Sequence, residues 1–202
     1  MKKVQTLIAA FLIISFTSFS QSANHQSNNH TQIIKLGLNT FFDTDEFPFS
    51  ISWEKKIGKN ESLQIGFLPR FRSFDNDKTN GVGFNIAYRK YISKNRTGIN
   101  GLFISPIAKI GFLKEEDAYS YGIPPQVIST KNSTNITQFS AGFLFGHNWV
   151  FKSGFSFEAS GGIAYYNSTN KFSSFDSGVQ YNNTDKESGL LPQLQISFGY
   201  AF

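Results

Sequence analysis

The sequence predicts an all-β protein: an eight-stranded antiparallel up-and-down transmembrane β-barrel preceded by a cleavable signal peptide. Three observations predict it. Long segments alternate apolar and polar residues with a period of two, the signature of amphipathic strands. The chain of 202 residues carries 23 Phe, 8 Tyr and 2 Trp, yet only 16 % charged residues, against roughly 25 % in an average soluble protein. Past the N-terminal segment, no apolar run approaches the ~18–20 residues that a spanning helix needs.

The elements follow in order. Met1-Lys2-Lys3 is a basic start, Leu7–Phe16 an unbroken apolar run, and Ser18-Phe19-Ser20 places small residues for cleavage before Gln21. That is the secretory pattern, too short for a membrane helix. Residues 1–20 are therefore expected to be a signal peptide, the alternative being a buried N-terminal helix. Residues 21–31 are polar and aperiodic, a flexible leader in which His25 and His30 read as solvated residues rather than metal ligands.

Residues 32–202 hold eight alternating segments: 32–43, 46–57, 62–73, 80–92, 100–113, 136–151, 154–166 and 189–202. The last is the clearest. Leu190, Leu194, Ile196, Phe198, Tyr200 and Phe202 share one face, and Gln193, Gln195, Ser197 and Gly199 the other. Soluble strands run to about 5–6 residues, whereas a tilted membrane strand needs ~9–11. Residue size sets the faces. An eight-stranded lumen is narrow, so the Gly and Ser rows fit inside and the aromatic rows outside. Fifteen Phe (42, 47, 49, 67, 71, 84, 112, 139, 143, 145, 151, 155, 157, 198 and 202) are expected to face lipid. Phe41, Phe74 and Phe103 fall inward or at strand ends, and Phe172 and Phe175 in the last connection. Pro48, Pro69, Pro106 and Pro192 fall within the proposed strands, where each removes a ladder donor.

Connections after the second, fourth and sixth segments are short, while 114–135 and 167–188 read as 22-residue loops. Outer-membrane barrels have short periplasmic turns and long external loops. Both termini are then periplasmic, in an outer membrane. Trp53, Tyr88 and Trp149 form a periplasmic aromatic girdle, with Tyr200 near the same level.

The same register turns Lys35, Glu54, Lys56, Arg70, Arg72, Arg89, Lys109 and Glu158 inward. Lys35, Glu54, Arg89 and Glu158 lie three to five residues from the periplasmic end and are expected to form one layer of two cations and two carboxylates. Such charges must pair or stay hydrated. The layer reads either as a structural ion-pair plug or as a gating cluster. Arg70, Arg72 and Lys109 sit toward the external mouth. They either pair with acids such as Asp43, Asp75, Asp77, Glu115, Glu116 or Asp117 or attract anions, lipopolysaccharide phosphates among them.

Three stretches carry a family resemblance: the terminal strand LQISFGYAF, the hairpin GFLFGHNWVFKSGFSFEASGGIAY (142–165) and YRKYISKNRTGINGLFISPIAK (88–109). Residues 32–202 resemble the small eight-stranded outer-membrane barrels of Gram-negative bacteria, OmpA/OmpX/OmpW-like in the broad sense. The resemblance implies that Tyr200 and Phe202 belong to a C-terminal signal read by the barrel assembly machinery. It implies no specific activity.

Several functions are excluded or weighed down. With no Cys there is no disulfide scaffold, zinc ribbon or thiol nucleophile. Net charge is +5, of which Lys2 and Lys3 lie in the signal, too little to argue for nucleic acid. No cofactor motif is present. Some eight-stranded barrels modify lipid A with Ser, His and a carboxylate. Here the only barrel His is His147, and Trp149 occupies the position two residues on. The expectation is a non-enzymatic, monomeric outer-membrane barrel with a largely filled polar lumen, in contact with outer-membrane lipid and lipopolysaccharide, acting in envelope integrity or surface interaction. The alternatives are a narrow channel for small or hydrophobic solutes and a lipid A-modifying enzyme.

Overall fold

A computed structural model describes residues 30–39, 48–74, 77–92, 98–123, 126–176 and 179–202. The expected signal peptide, the leader up to residue 29, and Phe41, Phe42, Asp43, Phe47 and Asp75 lie outside the described residues. Eight strands follow one another: β1 (Gln32–Asn39), β2 (Phe49–Lys56), β3 (Glu61–Phe74), β4 (Asp77–Tyr91), β5 (Gly101–Ile123), β6 (Gln126–Val150), β7 (Phe155–Asp176) and β8 (Val179–Ala201). Each pairs antiparallel with the next, and β8 pairs with β1, so the sheet closes into a barrel. This is the up-and-down fold class that the alternation predicts.

Closure also fixes the stagger. The register carries Ile33 to Glu54, Gln64, Ala87, Ile107, Gly142, Ala164 and Leu191 in turn. Leu191 lies four residues from Gln195, the partner of Asn39, and Asn39 lies six residues beyond Ile33. One circuit therefore returns ten residues further along β1. A stagger of this size goes with strands tilted by roughly 35–45°.

Faces alternate as the sequence implies. Phe49, Phe67, Phe71, Phe84, Phe112, Phe139, Phe143, Phe145, Phe151, Phe155, Phe198 and Phe202 are exposed on the outside, and Phe157 is half-buried in the same row. The inner face is less uniformly small and polar than the sequence implies. Leu68, Tyr91, Phe103, Ile107, Leu113 and Leu144 are buried inside. A lumen of this size must be filled to native packing density, and Gly and Ser alone leave voids. Tyr91, Phe103, Ile33, Ile99, Val150 and Ala201 form one apolar cluster at the end of the barrel carrying the termini.

Two expectations are corrected. Residues 114–135 and 167–188 are not long loops. β5 continues to Ile123, β6 begins at Gln126, β7 continues to Asp176 and β8 begins at Val179. Their ladder runs unbroken from Gly101↔Asn148 to Ile123↔Gln126, and from Phe155↔Tyr200 to Asp176↔Val179. Phe172 and Phe175 are thus strand residues. Both faces of these extensions are largely polar, so no apolar period marks them, yet backbone pairing needs no apolar face. Beside the first connection the described residues of β1 end at Asn39 and those of β2 begin at Phe49, and residues 40–47 lie outside the described residues.

The prolines find places where the ladder is open on one side. Pro48 precedes β2. Pro69 lies past the last β2–β3 pair, Ile51↔Phe67, and Pro192 past the last β1–β8 pair, Asn39↔Gln195. Pro106 lies opposite the gap in the β4–β5 ladder between Ala87↔Ile107 and Lys90↔Ile104. Register is identical on either side of that gap, so the missing donor is absorbed without a bulge.

The β6–β7 turn depends on Gly154, whose φ of 86° lies in the left-handed region. Its carbonyl accepts from Ala201 N at 2.7 Å, tying the turn to the last strand. Gly154→Ala is expected to lower the urea midpoint of the refolded barrel by the equivalent of about 1–2 kcal/mol. An unchanged midpoint would show that the turn relaxes freely.

Candidate functional site: a charged layer across the lumen

Inward parity alone turns Lys35 of β1, Glu54 of β2, Arg89 of β4 and Glu158 of β7 toward the axis. The stagger then brings them to one level, where they meet. Lys35 Nζ donates to Glu54 Oε2, and to Glu158 Oε2 at 2.5 Å. Arg89 grips Glu158 with both terminal nitrogens, Nη1 to Oε2 at 2.5 Å and Nη2 to Oε1 at 2.9 Å. Its Nη1 also reaches Glu54 Oε2 at 3.1 Å. Each carboxylate therefore touches both cations, and the formal charge of the four sums to zero. All four side chains are at most 1 % exposed.

Residues that sequence reasoning did not single out complete the layer. Ser62 Oγ donates to Glu54 Oε1 at 2.5 Å, and Tyr91 OH donates to the same oxygen at 2.6 Å. The Phe103 ring lies 4.5 Å from the Arg89 guanidinium carbon, a cation–π contact, and packs against Tyr91 with ring centroids 5.7 Å apart. Asn148 Nδ2 donates to Ile99 O at 2.6 Å. Parity was the available signal: Tyr91 follows Arg89 by two residues and Ser62 is Arg89's ladder partner. The layer thus rests on the apolar cluster that Tyr91 and Phe103 share, so its charges are held in a dry setting. Pairing of every charge is what makes such burial tolerable, although Arg89 Nε itself has no hydrogen-bond partner among the described residues.

The three cations expected at the external mouth are placed differently from one another. Arg70 is buried on the inner face. Arg72 is exposed at the rim of the same row. Lys109 is half-buried and donates to Gln193 Oε1 on β8. Lys56 is half-buried near the terminal end.

On the outside, Trp53 and Tyr88 are exposed, and Trp149 is half-buried. Trp53 Nε1 donates to Gln32 Oε1 at 3.0 Å, with Lys55 Nζ 6.0 Å from its ring. Trp149 lies between His147 and Phe157, with centroids at 4.1 and 5.3 Å. His147 is therefore part of an outward aromatic row. Tyr200 and Phe202 are exposed at the same end. Phe202 N donates to Gln32 O, and Phe202 O accepts from Thr31 N and Gln32 N, so the last residues are zipped to the first strand.

At the other end, Asp77 and Asp117 are ladder partners. Partial burial and the adjacent Asp77 carboxyl together raise the Asp117 pKa above its ordinary value.

Two outcomes follow. Glu158→Ala leaves Arg89 and Lys35 half-paired in a dry lumen, so stability should fall by about 3–5 kcal/mol in vesicle-based urea unfolding. Replacing the four together (Lys35→Met, Glu54→Leu, Arg89→Met, Glu158→Leu) should cost less than that single change. A parent-like midpoint for Glu158→Ala would remove the structural role. For Asp117 the sign is that of a raised acid. Its contribution to stability is present below the ordinary carboxylate range and is lost as pH rises through the raised value. Amide exchange around Thr79 and Glu115, corrected for intrinsic rates, should slow as pH falls from about 7 to about 4. Asp77→Asn should weaken that dependence, and a flat profile in the parent would contradict it.

Comparison with known proteins completes the description. The fold is similar to the translocator domain of autotransporter NalP from Neisseria meningitidis, with a TM-score of 0.51 and 16 % identity over 95 % of this chain and 68 % of that one. A major outer membrane protein from Thermus thermophilus is also matched, at a TM-score of 0.40 and 11 % identity over 87 % of this chain and 100 % of that one. No curated protein matches significantly. The model of one protein family, by contrast, spans the barrel from end to end, matching residues 9–202, and the chain belongs to that family, described as a protein of unknown function (DUF3575).

Proposed function

We propose that the protein is an integral outer-membrane β-barrel with a closed, largely filled lumen and a non-enzymatic role in envelope integrity or surface interaction. The observation that carries this reading is the inversion of the barrel. Outside, on β5, apolar residues run from Leu102 to Phe112 before Lys114. At ~3.3 Å per residue and the tilt above, that band is roughly 25 Å tall. This is the height expected of a transmembrane barrel's apolar belt. Exposed aliphatic and aromatic side chains surround the whole ring, a surface far larger than a soluble monomer tolerates. Inside sit the charges. The four-residue layer and the apolar cluster beside it favour a closed lumen over a conduit. His147 in an aromatic row, rather than in the lumen, favours a non-enzymatic reading over lipid modification.

On this reading both termini and the short turns after β2, β4 and β6 are periplasmic, and the β5–β6 and β7–β8 hairpins project outward. Outer-membrane lipid, lipopolysaccharide and the barrel assembly machinery are the expected partners, with Tyr200 and Phe202 read by the last of these, and the barrel works as a monomer without a cofactor.

The reading is tested by membrane fractionation with heat-dependent gel mobility, followed by planar-bilayer recording of the purified protein. The expected result is a membrane-bound, heat-modifiable barrel without unitary conductance. A soluble fraction would overturn the membrane assignment, and reproducible conductance would overturn the closed lumen.

A further inference from the structure

Charge is segregated across the barrel wall just above the external end of the apolar belt. Lys78 of β4, Lys114 of β5, Lys171 of β7 and Lys186 of β8 are all exposed and share the outward parity of Val82, Phe112, Tyr165 and Leu190. Among the described residues at this level, Asp77, Glu115, Asp117, Asp185 and Glu187 share the inward parity, with Arg72, the ladder partner of Thr79, as the one inward cation. The sequence shows this directly in Asp77-Lys78, Lys114-Glu115 and Asp185-Lys186-Glu187. Glu116 is the one outward carboxylate at this level among the described residues, and it pairs with Lys114 at 2.6 Å.

The lysines are also neighbours. Asn135 is the ladder partner of both Lys114 and Lys171, so these two flank it on either side, ~10 Å apart. Lys186 pairs with Thr169, which places it diagonal to Lys171 on the same face, about 7–8 Å away. Like charges diagonal on one exposed face repel weakly, and an anion held between them removes that repulsion. They stand about 5–15 Å above the last apolar row along the axis, within reach of the interfacial zone once the side chains extend.

We propose that Lys78, Lys114, Lys171 and Lys186 form a cationic collar that binds the phosphate groups of anionic lipid headgroups in the leaflet on the long-hairpin side. The proposal rests on the membrane-barrel reading and names the lipid chemistry that the barrel's outer wall selects. Among the described residues on the inner side of the same wall, five carboxylates outnumber the single cation Arg72, so the attraction is weaker at the mouth of the lumen. Binding holds the β7–β8 hairpin down toward the leaflet and relieves the Lys171–Lys186 repulsion.

The test uses the full barrel refolded into phosphatidylcholine vesicles carrying spin-labelled phosphatidic acid or spin-labelled phosphatidylcholine. The native protein should retain the phosphatidic acid label several-fold more strongly at low salt, with the preference falling toward unity at about 0.5 M NaCl. The variant Lys78→Gln/Lys114→Gln/Lys171→Gln/Lys186→Gln should lose most of the preference, and Lys55→Gln/Lys59→Gln at the opposite rim should lose little. Lys171→Gln/Lys186→Gln, confined to the hairpin beyond the belt, guards against misfolding of the fourfold variant and should itself lose a clear part. Undiminished preference in both collar variants, each still heat-modifiable, would overturn the collar. Failure of the native protein to insert into the vesicles would instead overturn the membrane reading beneath it.

Discussion

Closure of the ladder between β1 and β8 is the constraint on which everything else depends. Where the ladder closes, each strand has a partner on both sides, so its backbone donors and acceptors are satisfied between strands. Closing eight strands with a ten-residue stagger also sets the width and tilt of the wall. The Phe202–Gln32 hydrogen bonds complete the seam at the terminal end, and the Ala201–Gly154 bond ties β8 to the β6–β7 turn beside it. Without it, inward parity would still exist on each strand, but residues from β1, β2, β4 and β7 would have no common level at which to meet.

Within that wall the lumen is stacked by chemistry. The apolar cluster of Ile33, Tyr91, Ile99, Phe103, Val150 and Ala201 lies at the terminal end. The ion-paired layer lies against it, joined through the Tyr91 hydroxyl and the Phe103 face. Polar side chains such as Gln64, Asn85, Gln193 and Gln195 are buried on the same inner face. Hydrophobic packing and charge pairing support one another here: the dry cluster strengthens the Coulomb attraction, and complete pairing makes the dry site tolerable for charge. An incomplete set of the four would be worse than an apolar filling.

Beyond the belt the rules change. β5 to β8 extend as paired strands although neither face is dominated by apolar residues. What stabilises them is cross-strand pairing over more than twenty consecutive positions in each hairpin. Because neither face is committed to lipid or core there, charge can be sorted between faces. Four lysines stand on the outer side, and the described carboxylates other than Glu116 stand on the inner side beside Arg72.

The period of two, the length of the apolar faces and the size of the residues on each determined much by themselves. They settle the strand class, the number of strands, which side faces out, and the inward turn of Lys35, Glu54, Arg89 and Glu158. Alternation is a local property, enforced residue by residue by the pleat, so it survives in one dimension. Contact between those four charges, the part played by Ser62, Tyr91 and Phe103, and the tolerance of Pro106 at a gap in the ladder are not local. They depend on inter-strand register and stagger, which only the closed sheet decides. The extension of β5 to β8 past Leu113, Ile136, Tyr166 and Gly189 was illegible for a related reason. Where both faces meet water, strand pairing leaves no hydrophobic period in the sequence, and only the partner strand reveals it.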